Sequence, residues 1–317
     1  MNITEAIFNS YIDRFPGLVG LGEVERRRMY GDFLRCEAVY MAEPMDYLKY
    51  GFYRMDDKER VRYFTRREYA DLSSRYNDRN EAACILDKAL FIQKFEPFLC
   101  RDALVVKSEE REHFLNLYGK CDRLIFKPAT GGYGKGIRIF NTGAEASKVW
   151  DELAQAGGIV EEVICQHSAT ASFHPYSVNT VRILSVIDEG GDIHIPAAAF
   201  RCGVGDSVTD NAGGLYATID VDTGTICSDA VTPFGHRHEC HPDTRIPFYG
   251  FHIPRWEAIL EAAKMAAMLI PKVRIINWDW AIDQDRRPVV IEGNLEGGIG
   301  PLQLSGGLKG DIYSLLQ

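Results

Sequence analysis

Apolar and polar positions change their texture near residue 85, and the change divides the chain. Helix-like stretches lie at residues 5–14, 24–40 and 58–73, among many Arg, Tyr, Asp and Glu residues, with few glycines and few β-branched runs. That pattern predicts a small helical lobe over residues 1–84. After Leu86, short apolar runs appear at 124–127, 137–140, 159–164, 180–187, 193–200, 215–220, 273–283 and 288–292, each bounded by Gly, Pro or Asp. They predict strands with helices interspersed, so the body is a mixed α+β fold.

Two helices are sharply marked. Thr142 and Glu145 form a capping-box pattern that opens a helix over 144–156, with Ala146, Val149, Trp150 and Leu153 on one face and two glycines, 157 and 158, at its stop. Trp256, Ile259, Leu260, Ala263 and Ala267 are spaced for a second amphipathic helix, with Pro254 near its start and Pro271 beyond its end. No internal repeat or low-complexity tract interrupts them.

At 317 residues, 46% apolar and 26% charged, the chain has the balance of a folded protein with a large core, which excludes disorder. The formal charge of −9 comes with no long basic stripe, which disfavours nucleic acid and anionic membrane as partners and leaves room for a small charged substrate. The first residues lack a basic segment followed by an apolar core, and the apolar stretch at 262–270 is broken by Lys264 and far short of a span of ~20 residues. The eight cysteines contain no CxxC pair, which predicts free thiols in a reducing, cytoplasmic setting.

Chemistry is concentrated in two stretches. In LIFKPATGGYGKGIRIF, residues 124–140, an apolar run ends at Lys127, a loop carries Gly131, Gly132, Gly134 and Gly136, and a second apolar run follows. This reads as strand, flap, strand: the glycines let peptide N–H groups approach an anion, and Lys127 and Lys135 supply charge for phosphate oxygens. The spacing fails both the Walker loop and the GxGxxG fingerprint, and an ordinary glycine-rich hairpin is the plain alternative. In INWDWAIDQDRRPVVIEGN, residues 276–294, Glu292 and Asn294 share one face of a strand by its two-residue period. A turn at 284–287 folds Asp279 back beside Glu292. Two carboxylates and one amide oxygen make an oxygen-only set for Mg²⁺, with a polar hairpin rim as the plain alternative.

Taken together these stretches resemble the ATP-grasp superfamily, and within it the sugar-transfer-associated branch, over residues from about 86 to 303. Lys88 in LDKALFIQKF looks like that fold's first nucleotide lysine and Lys127 like its second, while Glu161, Glu162 and Val163 look like the hinge that meets adenine. Asp279, Glu292 and Asn294 match the family's metal set in order and spacing. The likeness to the branch rests on QH (166–167), SVNTVRI (177–183), FRCGVGDSVTDNAGG (200–214), HPDT (241–244) and IEGN (291–294).

The resemblance implies two α+β subdomains that grip ATP, at 85–165 with the flap and at 166–317 with the metal site, beside the helical lobe. It implies an ATP- and Mg²⁺-dependent carboxylate–amine ligase, with two ions, that forms an acyl phosphate, ADP and finally phosphate. The partners implied are a small carboxylate and an amine, one of them sugar-linked, in surface-polysaccharide or related assembly. Lys88 and Lys127 would hold the α- and β-phosphates, with the 131–136 flap over the β- and γ-phosphates. His167 would reach the ribose, and Arg182, Arg201 and Asn211 would clamp the acyl phosphate or acceptor acid. Many peptide-forming relatives carry an arginine two residues before the metal aspartate, where this chain has Asn277. The missing charge is expected from Arg182 or Arg201.

Several features carry a second reading. Arg182 lies within an apolar run, so its head needs an anionic partner. The crowded 236–241 stretch, with three histidines and a cysteine, reads as a substrate-facing or solvated loop rather than zinc, because paired ligand knuckles are missing. Tyr47, Tyr50, Tyr53 and Tyr63 read first as packing. Two other functions use the same residues: a kinase of small-molecule hydroxyls, and a non-catalytic nucleotide- or carbohydrate-binding partner. Oligomeric state is not written in the sequence.

Overall fold

A computed structural model describes residues 4–129, 136–143, 145–207 and 214–317. The first of its units is helical. Thr4 accepts from the Ile7 N–H and starts the helix Glu5–Ile12, followed by Glu23–Tyr40 and Pro44–Lys49. Phe8, Ile12, Phe33, Tyr47 and Phe52 form its core, and the predicted packing role of Tyr47 holds, since that ring lies among Phe8, Phe33 and Tyr53. Inside this apolar cluster the Arg60 guanidinium donates twice to Asp32, at 3.1 and 2.6 Å, and Tyr47 donates to the same carboxylate at 2.9 Å.

The expected helix over 58–73 is broken. A single turn at Asp57–Arg60 is followed by a separate helix, Arg66–Tyr76, because Thr65 becomes an N-cap whose side chain and that of Glu68 bond each other's backbone N–H groups. The helix expected over 144–156 runs from Ala146 to Ala156. Its Thr142 cap does not form: the Thr142 hydroxyl donates instead to the Cys121 carbonyl at 2.6 Å and ties down a strand end. Helices also continue past residue 86, at Lys88–Lys94 and Glu96–Leu99.

Two antiparallel sheets follow among the described residues. The smaller has the order β1-β4-β2-β3, with β1 Ala103–Val105, β2 Arg123–Pro128, β3 Arg138–Asn141 and β4 Gly158–Glu162. Phe114, Leu117, Trp150 and Leu153 from its two helices pack on Leu124, Phe126 and Val160. The larger comprises β5 Thr180–Ile187, β6 Ile193–Cys202, β7 Leu215–Asp220, β8 Thr225–Ile226, β9 Ala230–Val231, β10 Arg237–His238, β11 Ile275–Ile282 and β12 Pro288–Asn294. It runs β10-β9-β7-β6-β5-β11-β12, with β8 on β7. This is the mixed α+β architecture that the strand pattern predicts, although the three-residue β1 escaped the sequence because it is too short to show a period.

Strands β5 and β11 are buried along their whole length, so the large sheet is covered on both faces. On one face Val181, Ile183, Phe200, Trp278 and Trp280 meet the helix Trp256–Met268. The opposite face presents Leu184, Ala199 and Ile275 to Phe64, Tyr69 and Leu72 of the helical lobe and to Ile312 and Leu316 of the last helix. The lobe is therefore seated on the sheet itself.

A glutamine locks that seat. Gln303 is 1% exposed; its Oε1 accepts from the Phe64 N–H at 2.9 Å and the Leu308 N–H at 3.3 Å. Its Nε2 donates to the Phe64 carbonyl at 2.9 Å and the Tyr50 hydroxyl at 3.0 Å. Gln303→Ala strands several buried partners and is expected to cost about 2–4 kcal/mol in urea unfolding with an unchanged slope. A loss under about 0.5 kcal/mol would show that apolar contacts alone hold the joint.

Candidate active site

A cleft of about 920 Å³ opens between the two sheets and under the helical lobe. Lys127, Pro128 and residues 161–166 form one wall; Arg182, Asp279, Glu292 and Asn294 form another. Lys88 and Phe91 close one end from the helix Lys88–Lys94. Asp46, Lys49, Tyr50 and Arg66 of the lobe form a third side.

At the small-sheet wall, antiparallel pairing sets Glu161 opposite Ile125 and Lys127 opposite Ile159, which brings the Glu161 and Lys127 side chains together. Glu161 is 1% exposed and takes an ion pair from Lys127 and a hydrogen bond from Arg101 at 2.7 Å. Burial would raise its pKa, but the two cations outweigh that and hold the carboxyl at about 2. Arg101 also donates to the carbonyls of Leu99 and Val290, at 2.9 and 3.0 Å, and so bridges the small sheet to β12. Val163, the first residue beyond β4, lines the cleft, and among the described residues no partner takes its peptide N–H or C=O.

At the other wall β11 lies between β5 and β12, and one register line puts Arg182, Asp279 and Glu292 side by side. The sequence hairpin is thus present, with Asp279 beside Glu292. Arg182 donates to both Asp279 oxygens, at 2.8 and 2.6 Å, and Arg201 adds a third bond at 2.9 Å. Asp279 is 3% exposed; burial opposes its charge, yet the two guanidinium groups hold it well below the usual carboxylate range. The anionic partner that Arg182 requires is Asp279 itself. Glu292 faces the open cleft, so water reaches it, but the protein around it and the charge of Asp279 raise its pKa. The Asn294 amide donates to Glu292 Oε1 at 3.3 Å, which leaves the Asn294 carbonyl oxygen for another partner. Asn277, fully buried, donates to the Tyr69 hydroxyl at 2.8 Å and the Gly297 carbonyl at 2.9 Å, so it braces the lobe and the next loop.

That loop explains its glycines. Gly298 has φ +88°, and a Cβ there would lie 2.2 Å from Arg182 Nη1. A Cβ on Gly300 would lie 2.5 Å from Lys49 Nζ. Small residues after Asn294 let two cations reach across the backbone.

The structure brings Lys88, Lys127, Glu161, Glu162, Val163, Arg182, Asp279, Glu292 and Asn294 to the cleft. Arg201 stands behind it, on Asp279. His167 is not a lining residue: its Nδ1 accepts from the Ala169 N–H at 3.1 Å and caps the short helix Ser168–Ala171. Gly136 has φ +77° and packs on Pro128. Gly131, Gly132, Gly134, Lys135 and Asn211 lie outside the described residues. In the 236–241 stretch His241 is buried and pairs its Nε2 with the Gly203 carbonyl at 2.8 Å, so it supports the backbone rather than facing the cleft. Sequence reasoning missed Lys49 and Arg101, which sit in helix and loop contexts without a motif, and it missed Gly298 and Gly300. The EGGIG run at 296–300, shortly after the expected metal set, was the available signal for the two glycines.

The sequence profile described as sugar-transfer associated ATP-grasp matches residues 67–312. No curated protein matches the chain. Among solved structures, the ATP-grasp ligase PsnB complexed with minimal precursor is 13% identical, with a TM-score of 0.46, over 76% of this chain and 64% of that one. N5-carboxyaminoimidazole synthetase from Staphylococcus aureus is 8% identical, with a TM-score of 0.45, over 75% and 52%. The chain therefore spans less than two thirds of the length of either protein.

Two outcomes follow from the packing. Glu161→Gln leaves Arg101 and Lys127 without their shared anion and is expected to cost about 3 kcal/mol at neutral pH. Because the folded pKa is about 2 against an ordinary 4.5, the wild-type advantage is complete above pH 4.5 and fades as pH falls toward 2. Denaturant titrations at a series of pH values read this; a pH-independent difference overturns it. Gly298→Ala combines a strained φ with the Arg182 collision and is expected to lose at least about 1–2 kcal/mol, whereas Gly297→Ala, which meets nothing within 4 Å, changes little. Equal losses in thermal unfolding would contradict the close approach.

Proposed function

The chain belongs to the sugar-transfer associated ATP-grasp family, and from that premise we propose that it is an ATP-dependent carboxylate–amine ligase. The observation that carries the reading is the cleft itself: two lysines on one side and a carboxylate–carboxylate–amide set on the other face a single space of about 920 Å³. A triphosphate needs cations along its length and a metal site at its reacting end, and this arrangement supports both.

Lys88 and Lys127 hold the α- and β-phosphates, the 131–136 segment covers the β- and γ-phosphates, and the Val163 peptide meets the adenine edge. Asp279 has little left to offer a metal, since its oxygens already accept three bonds from arginine. Glu292 and the free Asn294 oxygen, with the remaining lone pair of Asp279 Oδ1, still fit a hard cation with several waters, because a pair of neighbouring carboxylates with one pKa raised is relieved by positive charge. Mg²⁺ held there by Glu292 and Asn294 would neutralise phosphate charge and polarise the γ-phosphoryl group.

A carboxylate oxygen of the acid substrate attacks the γ-phosphorus, the bond to the bridging oxygen breaks, and ADP leaves with that electron pair. An amine nitrogen then attacks the acyl carbon, the C–O bond to the phosphoryl group breaks, phosphate leaves with the pair, and the amine proton passes to solvent. Arg182, held rigid by Asp279, presents its outer edge to these oxyanions. The family's description supports a sugar-linked acceptor by association. All eight cysteines are free, and among the described residues no helix is long and apolar enough to cross a membrane. The free thiols support a reaction in a reducing compartment.

An ADP-release screen with pooled amino acids, uronic acids and amino sugars, followed by mass analysis, identifies the product: an amide supports the ligase and a stable phosphorylated metabolite supports a kinase. Glu292→Ala and Lys127→Ala are each expected to lower turnover by ~10²–10³-fold. Wild-type rates in both variants would place the reaction elsewhere.

A further inference from the structure

Among the residues that the lobe brings to the cleft, Lys49 is a cation without an ion-paired acid. Lys49 ends the helix Pro44–Lys49, is half-buried and lines the cavity. Its Nζ lies 4.7 Å from the centre of the Tyr216 ring, and the backbone of Gly300 approaches it from the other side. Among the described residues no carboxylate comes within ion-pair distance of it. The nearest acid in sequence, Asp46, is not in ion-pair contact with Lys49, and its Oδ2 accepts the Glu43 and Arg66 N–H groups at 3.0 and 3.2 Å. Burial pushes the Lys49 ammonium down to about 8, Asp46 partly restores it and Arg182 lowers it further.

Arg182 and Arg201 share Asp279, so Arg182 keeps only its Nη1 edge for an incoming oxyanion and Arg201 is held behind the cleft. A half-buried ammonium with no carboxylate in ion-pair contact is a costly arrangement unless an anion arrives. A lysine repels the amine substrate and attracts an oxyanion, which fixes the class of group it faces.

We infer that Lys49 of the helical lobe is a substrate-binding residue that holds the oxyanion of the acid substrate, first as carboxylate and then as acyl phosphate. This rests on the ligase reading above. It makes the lobe a wall of the acid-binding site rather than an appendage.

Inorganic phosphate, the second product of the proposed reaction, serves as the probe. Calorimetric titration of the full chain saturated with Mg·ADP is expected to show phosphate binding that weakens about tenfold or more in Lys49→Met and stays within about threefold in Lys49→Arg, with ADP affinity equal in all three. Equal phosphate affinity in Lys49→Met, or an ADP-loaded wild type that takes no phosphate, overturns the assignment. A wild type that binds no ADP strikes the ligase reading instead, and the phosphate difference measured without nucleotide then still decides the role of Lys49. Should Lys49→Met also lose ADP, Lys49→Gln is judged by the same two titrations.

Discussion

Asp279 between Arg182 and Arg201 is the constraint on which the active-site wall depends. The three residues come from three adjacent strands, so the bonds form only when β6, β5 and β11 share one register. A one-residue slip of any of these strands would turn its charged side chain to the opposite, apolar face, where no charge is compensated. Burying such a cluster costs desolvation, so it adds little to stability; what it adds is a single permitted alignment of the sheet. Glu292 follows from that alignment, because β12 pairs with β11 at Asp279.

The same logic appears at the far end of the cleft. Glu161 lies between Arg101 and Lys127 as Asp279 lies between Arg182 and Arg201, one buried acid to two cations each time. Each cluster carries one net positive charge, held on side chains whose positions are fixed by their shared carboxylate. A cleft with fixed positive charge at both ends is preorganised for an extended anion, and it keeps that preference although the chain as a whole is at −9.

How far the sequence revealed this depends on what each feature leaves in a linear pattern. The hairpin that joins Asp279 to Glu292 was legible because strand period and a polar turn are local signals. Arg182 was recognised as needing an anion, but not that the anion is the expected metal ligand, because pairing between β5 and β11 spans about a hundred residues. The Thr142 cap failed for a similar reason: a carbonyl on the neighbouring strand end competes for the hydroxyl, and sequence patterns do not see competitors. The break at Thr65, by contrast, was written locally as T-x-x-E and was obscured by the charged run on either side.

The helical lobe was the least legible part, since nothing in residues 1–84 announces chemistry. Its attachment accounts for both its composition and its position. Gln303 bonds the Phe64 peptide and the Tyr50 hydroxyl, and Asn277 bonds the Tyr69 hydroxyl, so Tyr50, which reads as packing, is together with Tyr69 a polar contact through which the lobe is seated. Lys49 and Tyr50 are consecutive, at the end of one short helix and the residue after it. The bond that fixes Tyr50 therefore also fixes where the neighbouring ammonium can stand, and the loop at 298–300 must remain glycine-rich to let it and Arg182 approach. A lobe that merely covered apolar surface would need none of these polar ties; a lobe that must deliver one charge to one place needs all of them.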